Sequence, residues 1–479
     1  MPIPTRTGPC LKPLSHGALW LLIAASAGCS SPLRAPELKA QTPAAWRETT
    51  ASAEAAKVVE PDLDQWWRAF GDEQLDAWVI RARGGNLSIA AAAQRVRAAR
   101  SMLQASQAGA SPVLRFDTSA IPSPDSRRNY FIAGFDAQWE AGLFGRTAAE
   151  IDAAQADAQT ASADLKAARV AVVAEVVRTW LGWRHSACRQ ALLADSVSVQ
   201  ERRLALWQSR VSVRQASQDD VARARRELEQ LRLEAWEAST VVAGIRSQMA
   251  VLAGDHNATG PDTLPCTRFD LPAVRISQLP ADIIRTRPDI QRAEHQVMKA
   301  FGSAREAEAN RHPRLSLNGT LSVAVPLSGA GSTSHGILSA APFVDIPLFD
   351  AGARQAVSQA RLAQMQAAVL DYRQSVLEGI AEVESAMASL STQRERRERL
   401  SAMERDAEQL ALRAEQRFRL KQADRFDLED SQEALIKSRL ATLDAELAQQ
   451  LAFVRLYKAL GGANPMADEA RVQAMRDAG

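Results

Sequence analysis

The chain has 479 residues, of which 46% are hydrophobic, 24% charged and only 5% aromatic. That mix excludes a disordered chain and a polytopic helical membrane protein, and a formal net charge of +2 excludes the basic footprint of a nucleic-acid binder. Few aromatics and abundant alanine suit long, closely packed helices better than a core filled by large side chains.

The N-terminus, 1–28, reads as a secretion signal. Arg6 and Lys12 supply positive charge, Ala18 to Ala25 form a short apolar core, and Ser26, Ala27 and Gly28 are small residues before Cys29. A spanning helix needs about 20 apolar residues, and no stretch reaches that length. A mature protein in a membrane must then be anchored there or enter it as β-strands. The end of the signal resembles a bacterial lipoprotein processing site, which implies acyl chains on Cys29 as the only covalent addition and no other cofactor. Ser26 departs from the bulky aliphatic residue usual three positions before such a cysteine, and an ordinary signal with an incidental Cys29 is the alternative. Cys188 lies in a helical pattern and Cys266 in a proline-flanked loop, a separation that predicts neither a disulfide framework nor a metal site.

Beyond an N-terminal segment at 29–85, the chain is an internal duplication. Gly145 to Gly254 falls on Gly352 to Gly461 without a gap, a shift of 207; Glu175-Val176 meets Glu382-Val383 and Asp220 meets Asp427. Upstream, a shift of 201 brings Ser88-Ile89 onto Asp289-Ile290 and Pro112 onto Pro313. The expected units are 86–254 and 281–461, separated by a linker at 255–280 and followed by a tail at 462–479.

Each unit reads helix, two strands, long helix, helix. Leu228, Leu231, Ala235, Ala238, Val242, Ile245, Met249 and Leu252 follow alternating steps of three and four, a coiled-coil seam. Between Gly145 and Arg210 there is no proline, and a helix of that size extends for about 100 Å. The shorter helices, Asn86 to Gly109 and Gln218 to Ala253, together match it, so they are expected to stack end to end beside it. Two units then make four helical rods.

Between the helices the period changes to two. Leu315, Leu317, Leu321, Val323 and Val325 alternate with Ser316, Asn318, Thr320 and Ser322, and Phe131, Phe135 and Trp139 alternate with Asp136 and Glu140. Leu114 to Ala120 and Leu338 to Leu348 complete four strands, near 113–140 and 314–348. Strands of this size with one apolar face fit an outer-membrane barrel, the alternative being a soluble hairpin resting on a core. Four strands cannot close, and open edges are not tolerated in lipid, so several chains must share the barrel. Two chains give eight strands, a width that side chains fill; three give twelve, with room for a passage.

Trp66-Trp67-Arg68-Ala69-Phe70-Gly71-Asp72 with Leu75-Asp76, Arg287-Pro288-Asp289-Ile290, Leu143-Phe144-Gly145 and Leu348-Phe349-Asp350-Ala351-Gly352 carry a family resemblance over the whole mature chain. The chain resembles the TolC-like outer-membrane factors, in particular the NodT-type lipoprotein branch that serves resistance-nodulation-division pumps. The resemblance implies a mostly α, α+β membrane protein: a homotrimer whose twelve-stranded β-barrel, four strands per protomer, continues into an α-helical coiled-coil barrel. It also implies an equatorial belt from 37–75, 255–280 and 463–479. The expected function is a passive exit duct for small toxic compounds, placed in outer-membrane lipid of a Gram-negative cell and reaching into the periplasm. The expected partners are a periplasmic adaptor and an inner-membrane pump.

By matching positions, the resemblance implies that Asp427 and Asp430 line the pore, with Asp220 the first-copy equivalent of Asp427. A carboxylate ring from three chains makes a cation-attracting constriction; the alternative is helix-start acids that favour the N-terminal dipole. The tips that meet the adaptor fall at Arg214-Gln215 and Lys421-Gln422, where the family usually has Gly followed by an aliphatic residue. This departure implies a matched, more polar adaptor surface. An enzyme is not expected: six histidines are scattered without ligand spacing, and no nucleophile elbow or phosphate loop occurs. The competing readings are a protein-secretion exit duct of the type I kind and a non-channel periplasmic coiled-coil scaffold.

Overall fold

The computed structural model describes residues 33–38, 42–47, 58–59, 63–121, 130–258, 280–326 and 335–462, and single residues or short runs of the linker at 260, 264, 266, 268–269, 271–274 and 276. Cys29 and the tail from 463 lie outside the described residues. Residues 1–37 and 38–479 are separate compact units; the first has no described secondary structure, and the second carries every element below.

A short strand β1 (Val58–Val59) and a 3-10 turn (Trp66–Phe70) precede α1 (Glu73–Gly85) and α2 (Leu87–Ala108). Then come β2 (Val113–Ile121), β3 (Tyr130–Ala141), the long α3 (Arg146–Ser212) and α4 (Gln218–Ala253). The linker holds β4 (Ala273–Val274), parallel to β1, and α5 (Pro280–Thr286) follows it. The second copy is α6 (Pro288–Ala309), β5 (Arg314–Pro326), β6 (His335–Asp345), α7 (Ala353–Arg419) and α8 (Arg425–Ala459). Both long helices have 67 residues. Glycines at left-handed φ, Gly145 (75°) and Gly352 (83°), turn the chain into each of them.

The rods form as the helix lengths require. On the side of the sheet, α2, α3, α6 and α7 lie in that order; on the other side the order is α4, α3, α8, α7. Thus α2 continues α4, and α6 continues α8. Asn86 joins the first pair: its Oδ1 accepts from Ser88 and Ile89 N–H to cap α2, while its Nδ2 donates to Leu252 O at the end of α4. Gly254, at φ 69°, lets the two backbones touch, because a Cβ there would lie 2.0 Å from Gly85 O. Arg287 joins the second pair by donating to Ala459 O at the end of α8.

The main core lies where the rods join. Trp66 stacks on Tyr457 at 5.4 Å, and Phe70 packs edge-on between Phe269 of the linker and Phe453 of α8, each at 5.5 Å. Asp72 is the polar anchor of this core. Its Oδ1 caps α1 through Gln74 and Leu75 N–H, and its Oδ2 accepts from Trp180 Nε1 at 2.9 Å and Arg184 Nη1 at 2.8 Å. The tryptophan-rich motif is therefore a clasp between the N-terminal segment and α3.

Two expectations are corrected. Cys188 and Cys266 do form a disulfide, with Cα atoms 5.5 Å apart, because the linker runs back across α3. Linear separation had argued against it, but chain reversal makes 78 residues irrelevant to spatial distance. The fourth strand runs over 335–345 rather than 338–348. Its pairing with β5 ends where β5 begins, at Arg314 opposite Asp345.

Candidate functional site

The sheet order is β2-β3-β5-β6, antiparallel throughout, so its two outer strands are the first and last. The register aligns Phe116, Phe135, Leu321 and Leu338 in one row, and Arg115, Asp136, Thr320 and Ser339 in the next. Alternation then sorts every strand residue. One face carries Leu114, Phe116, Phe131, Phe135, Trp139, Leu317, Leu321, Val323, Val325 and Leu338 among small and apolar neighbours, with no charge. The opposite face holds every charged strand residue: Arg115, Asp117, Asp136, Glu140, Arg314 and Asp345. Asp136 Oδ1 accepts from the Thr320 hydroxyl at 2.6 Å across that face. The apolar residues stay exposed, Leu321 at 54% and Leu338 at 81%, so no core covers them. This is a surface built for hydrocarbon on one side and water on the other.

At the far end of the rods the two turns have the same form. Arg214 (φ 61°) and Lys421 (φ 59°) adopt the left-handed conformation that favours glycine. Gln215 N–H closes back on Arg210 O and Gln422 N–H on Arg417 O, each at 2.8 Å. All four tip residues are exposed.

Asp220 and Asp427 each stand at the third position of a helix as the carboxylate half of a capping box, with Ser217 and Asp424 as N-caps. The Ser217 hydroxyl and N–H, then Arg223, hold the Asp220 carboxyl below its ordinary value. Asp430 lies one turn further along α8 and pairs with Arg203 of α3 at 3.0 Å. These carboxylates thus belong to local caps and to a seam between α3 and α8.

The α3–α8 seam is a row of ion pairs. Arg202 forks onto Glu429 (2.9 and 3.0 Å) and reaches Gln432, Arg203 also meets Glu433 (2.7 Å), and Arg210 meets Asp424 (2.8 Å). Higher up, Arg189 and His185 share Asp444. Every arginine is on α3 and every acid on α8. Glu429 is 1% exposed, and its buried charge is offset by Arg202 and, within α8 itself, at 3.6 Å by Arg425 one turn earlier. The signal was present, since Arg189, Arg203 and Arg210 recur at multiples of seven and so share a stripe. Phe426 locks the lower end, 4.6 Å from Trp207 and under the Arg210 guanidinium at 4.3 Å.

Among the described residues no cluster of three His, Cys, Asp or Glu side chains could hold a metal, and no helix is long and apolar enough to cross a membrane.

Comparison with known proteins gives consistent results. The sequence model of the family described as outer membrane efflux protein matches residues 78–255 and 279–462. Outer membrane protein OprJ of Pseudomonas aeruginosa is 26% identical over 465 residues, covering 94% of this chain and 96% of the relative. The toluene efflux pump outer membrane protein TtgI of Pseudomonas putida is 26% identical, covering 82% and 86%. Among solved structures, the outer-membrane channel OprN superposes with a TM-score of 0.76 at 25% identity, over 90% of this chain and 98% of that one. The Campylobacter jejuni CmeC outer membrane channel, at 18% identity, has the same fold with a TM-score of 0.78 over 92% and 96%.

Proposed function

This chain belongs to the outer membrane efflux protein family and is an outer-membrane channel protein of efflux, and we propose that three copies of it close one twelve-stranded barrel above a tube of twelve rods. The observation that supports this reading is the four-stranded sheet: one face carries no charge, and β2 and β6 have no partner on their outer sides among the described residues. Unpaired edges beside an apolar face are stable in lipid only if another copy pairs with them. The test is the migration of purified protein before and after heating. A heat-sensitive trimer is expected, and a monomer soluble without detergent would overturn the proposal.

In this reading the duct is passive and catalyses nothing. The inner-membrane pump supplies the energy, and a periplasmic adaptor grips the tips at Arg214, Gln215, Lys421 and Gln422. Asp427 and Asp430, with Asp220, ring the narrow end, where three copies of each carboxylate attract cations and repel one another. Cys29 carries the lipid that holds the mature N-terminus at the membrane; loss of acyl-chain mass on Cys29→Ser tests that.

A further inference from the structure

At the junction of sheet and rods, the end of α6, the start of β5 and the first two turns of α7 enclose a groove of about 370 Å³. Three arginines line it, Arg314, Arg354 and Arg361, against a single carboxylate in the lining, Glu306. Asn310, the C-cap of α6, organises two of them: its Oδ1 accepts from Arg314 Nη2 at 2.9 Å, and its main-chain O accepts from Arg354 Nη1 at 2.8 Å. Arg354 also lies 3.6 Å from Asp350, and Arg361 donates to the neutral Gln364. The Nε of Arg314 is buried and has no acceptor among the described residues. A buried guanidinium donor without an acceptor costs stability, and an anionic oxygen would relieve it.

The duplication shows that the fold does not require this arrangement. Under the shifts of 201 and 207, Arg314, Arg354, Arg361 and Asn310 correspond to Val113, Thr147, Ala154 and Gly109 in the first copy. The same helix–strand–helix junction is built there without one of these four polar groups. Nor is the groove a lipid contact. Arg314 stands on the charged face of the sheet with Glu140 and Asp345. Glu306 acts on Arg146, whose guanidinium forks onto Glu140 at 2.8 Å. The opening therefore lies on the water side of the wall.

We propose that this groove is a binding site, on the path through the duct, for the anionic group of an amphiphilic organic solute. The arginines take the anion, and Val357, 54% exposed at the rim, takes part of an apolar body. Each copy of the chain contributes one such site, and Asn310 is its positioning residue. The inference rests on the duct reading above, and its test separates the two.

Full-length protein in detergent is titrated with naphthalene-2-sulfonate and, separately, with the uncharged naphthalene-2-sulfonamide, and single-channel current is recorded with each. Saturable sulfonate binding and a graded fall in current are expected, with the amide at least about tenfold weaker, the effect of one charge-assisted hydrogen bond. Arg354→Thr with Arg361→Ala, the residues of the other copy, should weaken sulfonate binding by about tenfold or more and remove the graded fall in current that the sulfonate produces. Asn310→Gly should weaken the sulfonate and not the amide. Equal affinity in the double variant, or equal affinity for the two probes, would overturn the proposal. So would a phospholipid that co-purifies with the wild type and not with the double variant. A wild type that conducts nothing would instead defeat the duct reading.

Discussion

Asn86 and Arg287 occupy the same place in the two repeats and perform the same task with different chemistry. Each stands just before a helix that begins a rod's sheet-side half, and each donates to a carbonyl at the end of the helix on the other side: Leu252 for Asn86, Ala459 for Arg287. The amide caps its own helix as well. The arginine instead binds Asp289 through Nε and Nη2 and reaches Glu382 at 2.6 Å. Burial opposes the Asp289 charge, but Arg287 and the local N–H groups hold its carboxyl below the ordinary value. Arg287→Ala should cost about 2–3 kcal/mol, the worth of its charge-assisted hydrogen bonds, because Asp289 and Glu382 stay 42% and 51% exposed and can be solvated, whereas Asn86→Ala should cost about 1–2 kcal/mol as a lost cap. Thermal unfolding of the two variants checks the difference.

Asp72 links α1 to Trp180 and Arg184 with both side chains of the ion pair nearly buried, at 8% and 9% exposure. Asp72→Asn keeps the cap and removes the charge from the buried pair with Arg184. It should be destabilised by about 3 kcal/mol, and Asp72→Ala by roughly 1 kcal/mol more. A smaller loss for alanine than for asparagine in chemical denaturation would contradict this.

Leu321 and Asn318 stand on opposite faces of β5. Leu321→Lys should cost about 2–4 kcal/mol if its face meets hydrocarbon near mid-bilayer, while Asn318→Lys should be close to neutral. The measurement is the yield of heat-sensitive oligomer in outer-membrane fractions.

Arg214 and Lys421 hold left-handed backbone without being glycine. Replacing either by glycine should relieve about 1 kcal/mol locally. Slower hydrogen exchange in the two turns, with unchanged exchange in the core, is the expected signature.

Asp424 caps α8 and pairs with Arg210. The Asp427 N–H and then Arg210 hold its carboxyl below the ordinary 3.8. Its folded value is the lower one, so its contribution is present above pH 3.8 and disappears as the pH falls through that lower value. Faster exchange near the tip is expected in that acid range only. Asp424→Asn keeps the cap, and its tip should lose this acid dependence.

Cys188 and Cys266 tie the linker to α3, and two residues on Arg268 binds Glu404 of α7 and Glu446 of α8. The linker thus straps the first repeat to the second. Replacing both cysteines by serine should cost about 2–4 kcal/mol, read as a lower unfolding midpoint that no longer responds to reductant.

Much of this protein was legible in one dimension. Helix length, the shift of 207 and the period of two in the strands are local properties, and they determined four rods, four strands and one uncharged face. Gly145 and Gly352, where the gapless alignment of the two copies begins, each stand just before a long helix. What only the tertiary structure decided are the meetings of distant residues. Cys188 finds Cys266 because the linker doubles back, and Asp430 finds Arg203 because α8 lies beside α3. Asn310 gathers Arg314 and Arg354 where three elements converge. Periodicity says which face of a rod is apolar, but it does not say which rod is the neighbour; that choice depends on packing between segments hundreds of residues apart.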